Sequence, residues 1–281
     1  MLIVKKFGGS SVANAERVFN VANIIIEDYK KGNDVIVVVS AQGDTTDDLI
    51  DKAKEIDATA SKREMDMLLS AGEQISIALL AMAIGKLGYH AVSLLGWQAG
   101  FNTDSHHSIA RIKNINGERI KNEIAKRNIV IVAGFQGINK YDDYVTLGRG
   151  GSDTTAVALA AALHADKCEI YTDVDGVFTA DPRVVSDARK IEEITYDEML
   201  ELATSGAKVL HSRSVELAKK YGVQMVVRSS LNESEGTTVK EVVKMEKMLV
   251  TGVASDKNTA RISVIGVEDK PGVAFKVFHR L

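Results

Sequence analysis

The sequence has a single cysteine, Cys168, in 281 residues. One cysteine cannot form a disulfide within the chain, and this scarcity is typical of proteins that work in a reducing compartment. Cys168 stands in the apolar stretch CEIYTDV, which favours a buried strand cysteine over a nucleophile. We therefore expect a cytoplasmic protein without a disulfide framework.

Long apolar runs and an excess of one charge are also lacking. The longest apolar helix candidate, ISIALLAMAIG, is shorter than the roughly 18 to 20 residues that span a bilayer, and the N-terminus does not resemble a signal peptide. Lys plus Arg number 35 against 38 Asp plus Glu, which gives a formal net charge of −3. We expect neither a membrane nor a nucleic acid among the partners.

The common nucleotide-binding motifs are missing as well. The only Gly-Lys pair, Gly85 and Lys86, precedes a leucine, so no Walker sequence is present. No H-R-D, D-F-G or strand-linked G-x-G-x-x-G occurs. P-loop enzymes, protein kinases and dinucleotide-binding folds are therefore excluded.

Apolar runs of strand length recur along the chain, separated by helical patterns. This alternation predicts an α/β fold with a mostly parallel sheet covered by helices on both faces. The predicted strands are Leu2 to Lys5, Val35 to Val39, Ala91 to Leu95, Ile129 to Ala133, Glu169 to Thr172 and Val223 to Val227.

The stretch KKFGGSS, Lys5 to Ser11, follows the first predicted strand. Glycines at the end of a strand free backbone N–H groups to bind an anion, and a lysine adds a point charge. The same residues also fit a tight turn with a solvated lysine. The heptad alone does not separate an anion site from a turn.

A second glycine-rich stretch, TLGRGGSD, precedes a strongly helical run. Flexible N–H groups before a helix N-terminus form a good phosphate site. Ser152 or Asp153 could instead be an N-cap, but capping explains neither the three glycines nor Arg149, so we favour a functional site. Arg149 could grip a carboxylate or a phosphate, or lie free on the surface.

Seven motifs in order resemble the aspartate kinases of the amino-acid kinase family. They are KFGGSS (Lys6 to Ser11), SAQGDTT (Ser40 to Thr46), SAGEQIS (Ser70 to Ser76), QAGFNTD (Gln98 to Asp104), GRGGSD (Gly148 to Asp153), YTDVDGVFTADPR (Tyr171 to Arg183) and GAKVLH (Gly206 to His211). The resemblance implies a three-layer αβα sandwich and ATP-dependent phosphorylation of the L-aspartate side chain, with Mg²⁺ as the accompanying ion.

The resemblance also implies roles for individual residues. Lys6 and Asp153 are the implied catalytic pair. The implied substrate-binding residues are Thr46, Glu73, Arg149 and Ser152. The implied ATP- and phosphate-binding residues are Lys6, Gly8, Gly9, Ser10, Thr172, Asp173, Phe178, Arg183 and Lys208. Phe178 stands where the family commonly has tyrosine, and Lys208 also fits an ordinary surface lysine.

Two further stretches have simpler interpretations. The pair His106 and His107 does not have the spacing of a metal site, so we expect no protein-held metal. The segment ATASKREMDMLLS, residues 58 to 70, is either a mobile flank of the site or an exposed helix.

The composition shifts near residues 229 to 248, which predicts a domain boundary. We expect a catalytic domain over residues 1–237, then a linker and the start of an ACT-like α+β regulatory domain over 238–281 that the chain does not complete. The resemblance further implies a homodimer in the full-length form. Two alternatives remain open: a related kinase acting on glutamate, N-acetylglutamate, carbamate or UMP, and a non-catalytic amino-acid or nucleotide sensor.

Overall fold

The computed structural model describes residues 1–207, 209–241 and 250–256, with 272, 275 and 279 as single positions. The strands in this part of the chain are β1 (Leu2–Phe7), β2 (Asp34–Val39), β3 (Ala91–Leu94), β4 (Phe101–Thr103), β5 (Ile112–Ile115), β6 (Ile129–Ala133), β7 (Gln136–Ile138), β8 (Tyr144–Thr146), β9 (Lys167–Thr172), β10 (Glu193–Thr195), β11 (Met225–Ser229) and β12 (Thr237–Lys240). The helices are α1 (Ala15–Lys30), α2 (Thr45–Ile56), α3 (Lys62–Lys86), α4 (Glu118–Ala125), α5 (Gly151–Leu163), α6 (Tyr196–Thr204) and α7 (Ser212–Tyr221).

Eight strands form the main sheet, in the order β10-β12-β11-β9-β1-β2-β6-β3. All neighbours are parallel except β11 and β12, which are antiparallel. The six strands predicted from apolar runs are β1, β2, β3, β6, β9 and β11, and each lies in this sheet. The predicted mostly parallel sheet is confirmed.

Helices cover both faces of the sheet, as continuous apolar strands require. On β2, Val37 packs into a core with α1 and α3, whereas its neighbour Val38 packs into a second core with α5 and α7. Alternate residues of one strand thus serve two cores. The three-layer αβα sandwich is confirmed.

Local signals explain why α1 begins and ends where it does. The Asn14 side chain accepts a hydrogen bond from Arg17 N at 3.0 Å and caps the first turn. Val21 and Ile25 lie on the buried face. Gly32 adopts a φ of +86°, which turns the chain into β2.

A second sheet of four short strands, in the order β5-β4-β7-β8, was not predicted. Three of these strands have only three residues, so none carries an apolar run of diagnostic length. This small sheet borders the carboxyl ends of β3 and β6, and β8 leads directly into the glycine-rich stretch before α5.

The predicted boundary between residues 237 and 238 falls within β12, which continues the main sheet to Lys240. Residues 250–256 also contact this domain: Val253 N donates to Thr179 O at 2.8 Å, and Thr251 Oγ1 donates to Glu198 Oε1 at 2.8 Å. Most of the predicted ACT-like segment lies outside the described residues, so that domain stays a prediction.

Helix α3 has 25 residues and, by length and composition alone, could cross a membrane. This helix is longer than the apolar stretch ISIALLAMAIG of the sequence analysis, because it runs from Lys62 to Lys86. Core helices of globular proteins meet the same criterion. Ile77, Leu80 and Ile84 of α3 are buried against the sheet.

Candidate active site

The candidate site lies at the edge of the main sheet where the parallel strands end. The carboxyl ends of β1, β2, β6 and β9 meet there because neighbouring strands run in the same direction. Lys6 is the second-last residue of β1 and Thr172 is the last residue of the adjacent β9, so both lie at this edge. The loops that follow these strands therefore form one continuous surface.

Lys6 lies one residue before the end of β1, which runs to Phe7 and not to Lys5 as predicted. Its Nζ is 2.7 Å from Asp153 Oδ1, and the two side chains are only 13% and 12% exposed. The contact is an ion pair without aligned hydrogen-bond geometry, since Oδ1 has no hydrogen-bond partner among the described residues. The alternative of a solvated lysine does not describe Lys6.

The neighbouring Lys5 points to the opposite face of the sheet, because side chains alternate along a strand. Its Nζ lies 2.7 Å from Asp28 Oδ2 and 2.5 Å from Glu169 Oε2, beneath α1. Burial alone would lower the pKa of Lys5, but Tyr171, Glu169 and Asp28 outweigh it and raise that pKa. Lys5 is therefore a charged part of the core, and only Lys6 reaches the site.

The glycines after β1 allow two loops to touch. A β-carbon on Gly9 would lie 2.6 Å from Ala41 O and 3.0 Å from Gly43 O, and Gly43 N donates to Gly9 O at 3.0 Å. A β-carbon on Gly8 would lie 3.5 Å from Lys6 Nζ. The Gly8–Gly9 backbone thus lies directly beside the lysine, while Ser10 is exposed.

The start of α5 differs from the capped helix that was the alternative interpretation. Its N-cap is Gly150, with φ at +68° and no side-chain cap. Asp153 faces Lys6, as above, and Ser152 Oγ would lie 2.6 Å from a β-carbon on Gly134. Neither side chain caps the helix, so both are available to the site.

Glu73 is a buried carboxylate on α3 with one unpaired oxygen. It is 3% exposed, its Oε1 accepts from Ala41 N at 3.1 Å, and its Oε2 has no hydrogen-bond partner among the described residues. Burial raises its pKa to about 7, although the bond from Ala41 N opposes this shift. An unpaired buried carboxylate is suited to a cationic ligand.

Two other predicted substrate residues surround this region. Thr46 is half-buried in the first turn of α2, and its neighbour Thr45 approaches Gly72 of α3. Arg149 is exposed between two glycines with positive φ, Gly148 and Gly150. The arginine fork is therefore free to meet a ligand.

The predicted nucleotide residues are less tightly grouped. Thr172 Oγ1 donates to Asp173 Oδ1 at 3.0 Å at the end of β9, and Phe178 forms an isolated bridge with Lys190. Arg183 is 85% exposed and pairs with Asp181 at 2.9 Å. Lys208 lies outside the described residues. Asp181 raises the pKa of Arg183 most strongly, and Asp173, which is bonded to Thr172, helps to raise it as well.

Several residues that shape the site were missed from the sequence. Asp66 and Gln136 are fully buried beside it, and Gln136 Nε2 donates to Ser70 O at 2.9 Å. The spacing of Asp66, Ser70 and Glu73 places three polar side chains on the buried face of α3, which is unusual for a core helix. That polar stripe was the available signal. In the segment 58–70, residues 58–61 precede the helix and residues 62–70 begin α3, where Asp66 and Ser70 are buried.

The fold and the site together are thus a three-layer αβα sandwich in which a lysine–aspartate pair joins β1 to a glycine-rich helix start. The family model described as "Amino acid kinase family" matches residues 1–229. The chain belongs to the amino acid kinase family.

Within the amino acid kinase family, the chain is clearly similar to aspartokinases. The chain is 60% identical over 268 residues to an aspartokinase of Geobacillus stearothermophilus, which covers 95% of this chain and 66% of that protein. It is 54% identical over 284 residues to an aspartokinase of Corynebacterium glutamicum, covering 100% of this chain and 68% of that one. The chain thus spans about two thirds of the length of these curated relatives.

Solved structures of aspartate kinases are also similar to this chain. An aspartate kinase from Synechocystis superposes with a TM-score of 0.78 at 49% identity, covering 89% of this chain and 41% of that one. E. coli aspartokinase III in complex with aspartate and ADP gives a TM-score of 0.76 at 29% identity, covering 87% and 65%.

Proposed function

We propose that this chain is the catalytic part of an aspartate kinase. It transfers the γ-phosphoryl group of ATP to the side-chain carboxylate of L-aspartate, giving 4-phospho-L-aspartate and ADP, the first step towards lysine, threonine and methionine. The observation that carries the proposal is buried Glu73, whose unpaired oxygen is suited to an amino-acid ammonium group. The aspartokinases similar to this chain support it.

The reaction needs positive charge more than it needs a base. A carboxylate with a pKa of about 4 is already ionised at neutral pH, so its oxygen can attack the γ-phosphorus directly. The new O–P bond forms while the bond from phosphorus to the β,γ-bridging oxygen breaks, and ADP leaves with those electrons. The obstacle is the repulsion between two anions.

Lys6 and the backbone around it meet this need. The ammonium of Lys6 contacts the phosphoryl group in flight, and Asp153 holds that ammonium in place at 2.7 Å. The N–H groups of Gly8, Gly9 and Ser10, with the N-terminus of α5, bind phosphate oxygens. The lysine is pre-positioned because it stands within a central strand.

The substrate is held through its two α-substituents. Glu73 pairs with the ammonium group, and the Arg149 fork binds a carboxylate by two parallel hydrogen bonds. Thr46 and Ser152 supply hydroxyl groups. Because the pKa of Glu73 is about 7, part of the Glu73 population is ionised at neutral pH. Binding of the ammonium group increases the ionised fraction.

The nucleotide is bound by Thr172, Asp173, Phe178, Arg183 and Lys208. Arg183 must exchange its partner Asp181 for a phosphate or ribose oxygen. When bound with the phosphates, Mg²⁺ would offset their negative charge. Asp153, the nearest carboxylate to Lys6, is the side chain that would hold it.

The proposal extends to the setting of the protein. We place the catalytic domain over residues 1–240, because β12 completes the main sheet, and expect a homodimer of the full-length form in the cytoplasm. The ACT-like segment after β12 belongs to a regulatory domain in this interpretation.

The test is formation of an acyl phosphate by the 281-residue chain, trapped with hydroxylamine. L-aspartate, L-glutamate and N-acetyl-L-glutamate are compared at equal concentration, with ATP and Mg²⁺. Hydroxamate from aspartate alone is the expected result. Hydroxamate from another acid, or none from any acid in a sample that binds ATP, would contradict the proposal, and the second result would favour a sensor.

A further inference from the structure

Asp66 is a fully buried carboxylate on α3 whose partners all lie outside that helix. Its oxygens accept from Thr146 Oγ1 at 2.6 Å and from Ser108 N at 2.9 Å, and His107 Nδ1 lies 2.9 Å away. A buried carboxylate with several donors is a strong and directional link. Asp66 thus ties the helix to two separate loops.

The two loops are residues 104–111, between β4 and β5, and residues 147–150, between β8 and α5. Arg149 lies in the second loop, which the first loop contacts. Thr146 ends β8, three residues before Arg149. Ser108 adopts a left-handed φ of +69°, and its carbonyl oxygen would lie 3.0 Å from a β-carbon on Gly148. The backbone on which Arg149 stands therefore rests on the loop that Asp66 holds.

The same two loops are fixed to each other from the opposite side. Arg213 Nη1 donates to Leu147 O and Nη2 donates to Ala110 O, each at 2.9 Å. Ala110 N also donates to Thr146 O at 2.9 Å. The two loops are therefore joined to each other, and Asp66 is a buried side chain that attaches them to α3. The more exposed pair Arg63–Asp143 also links α3 to the residue before β8.

Helix α3 also carries Glu73, seven residues after Asp66, or about 10 Å along the helix axis. We infer that Asp66 is a positioning residue that sets the distance between Glu73 and Arg149, and through it the affinity for the amino-acid substrate. This inference rests on the proposed function, in which those two residues bind the ammonium and a carboxylate. Asp66 itself does not contact the substrate.

The first test separates substrate affinity from nucleotide affinity. Asp66→Asn keeps the shape and one acceptor oxygen but loses the charge, so that an amide NH₂ faces at least one donor. We expect the KM for aspartate to rise about tenfold with the KM for ATP within about twofold. Asp66→Ala should raise the KM for aspartate further than Asp66→Asn does, because asparagine keeps one acceptor oxygen and alanine keeps none.

The matched control is Glu123→Gln. Glu123 is a buried carboxylate on α4 that accepts from Arg119, Lys126 and Asn128, and it has no contact with the site loops. We expect both KM values to stay unchanged. Equal increases of the two KM values in Asp66→Asn, or no increase, would overturn the inference.

The second test does not depend on activity. Trypsin cleaves after exposed Arg149 and after Arg183, which is 85% exposed and lies in a different loop. Brief digestion of the folded protein reports how often each site opens. We expect Asp66→Asn to raise the cleavage ratio of Arg149 to Arg183 several-fold and Glu123→Gln to leave it unchanged.

A third variant covers the case in which Asp66→Asn does not fold. Thr146→Val removes one donor with almost no change in shape, and it should change the KM for aspartate and the cleavage ratio in the same direction by a smaller factor. An unchanged cleavage ratio in every variant would overturn the inference. Absence of aspartyl hydroxamate from the unaltered chain would instead refute the proposed function, and the cleavage ratio would still test the positioning role.

Discussion

Lys6, near the end of the central strand β1, and Asp153, in the first turn of α5, form an ion pair with 2.7 Å between Nζ and Oδ1. Because each residue stands on a different rigid element, the ammonium group has one orientation at the edge of the sheet. A lysine on a loop would have to be ordered by the ligand.

Replacing Lys6 by alanine should remove turnover and spare nucleotide binding. The lysine acts on charge that develops during transfer, so we expect kcat to fall at least about 100-fold, with the Kd for ATP within a few-fold. Hydroxamate assays and calorimetry measure the two quantities. Lys54→Ala, on the exposed face of α2, is the control, and unchanged turnover in Lys6→Ala would refute the assigned role.

Lys5, one residue earlier, should behave in the opposite way. Lys5→Met removes the shared partner of Glu169 and Asp28. Glu169 keeps Lys167 and Asp28 keeps Lys31, so the cost should lie below the about 3–5 kcal/mol of an uncompensated buried charge. We expect a fall in the free energy of unfolding and unchanged KM values below the unfolding temperature. Adding Glu169→Gln should recover part of the stability, and no recovery would contradict a direct pairing.

Glu73 should make stability depend on pH. Burial raises its pKa from an ordinary 4.5 to about 7, so between these pH values the folded state keeps a proton that the unfolded state has released. The free energy of unfolding therefore falls as pH rises through this window and levels off above 7, by up to about 3 kcal/mol. Glu73→Gln has no such proton.

Urea unfolding of the unaltered chain and of Glu73→Gln at pH 5, 6, 7 and 8 measures this effect. The difference in stability between the two proteins should shift in favour of the glutamine variant as pH increases. Parallel curves across the range would show that Glu73 titrates normally.

Gly150 should tolerate alanine much less well than Gly222. Both have a left-handed φ, at +68° and +64°, but a β-carbon on Gly150 would lie 2.2 Å from the ring of His211, while nothing lies within 4 Å of one on Gly222. We expect Gly222→Ala to cost about 1 kcal/mol and Gly150→Ala at least twice that, with loss of turnover. Thermal unfolding compares them, and equal losses would mean that the ring moves aside freely.

The sequence predicted the sheet well because its strands are continuous apolar runs, as in β2 and β6. The motifs also named Lys6, Asp153 and Glu73, and in the structure Lys6 pairs with Asp153 while Glu73 binds the backbone after β2; their roles stay a prediction. These features depend on neighbouring residues in the chain, which a single sequence contains.

The missed features depend on contacts between distant residues. The sequence predicted that the first strand ends at Lys5, whereas β1 continues to Phe7 because it pairs with β2 and β9. Asp66 could not be interpreted because its partners, Ser108 and Thr146, lie 42 and 80 residues away. The short strands of the second sheet have no pattern of their own.

The position of β1 between β2 and β9 has a consequence for synthesis of the chain. As the polypeptide leaves the ribosome, β1 and β2 can pair early, but the other side of β1 has no neighbour until residues 167–172 have been made. Until then one edge of β1, and with it Lys6, stays open to wrong partners. The earliest strand to be synthesised is thus enclosed only after β2 and β6, and nascent chains that stop before β9 should depend on chaperones to remain dispersed.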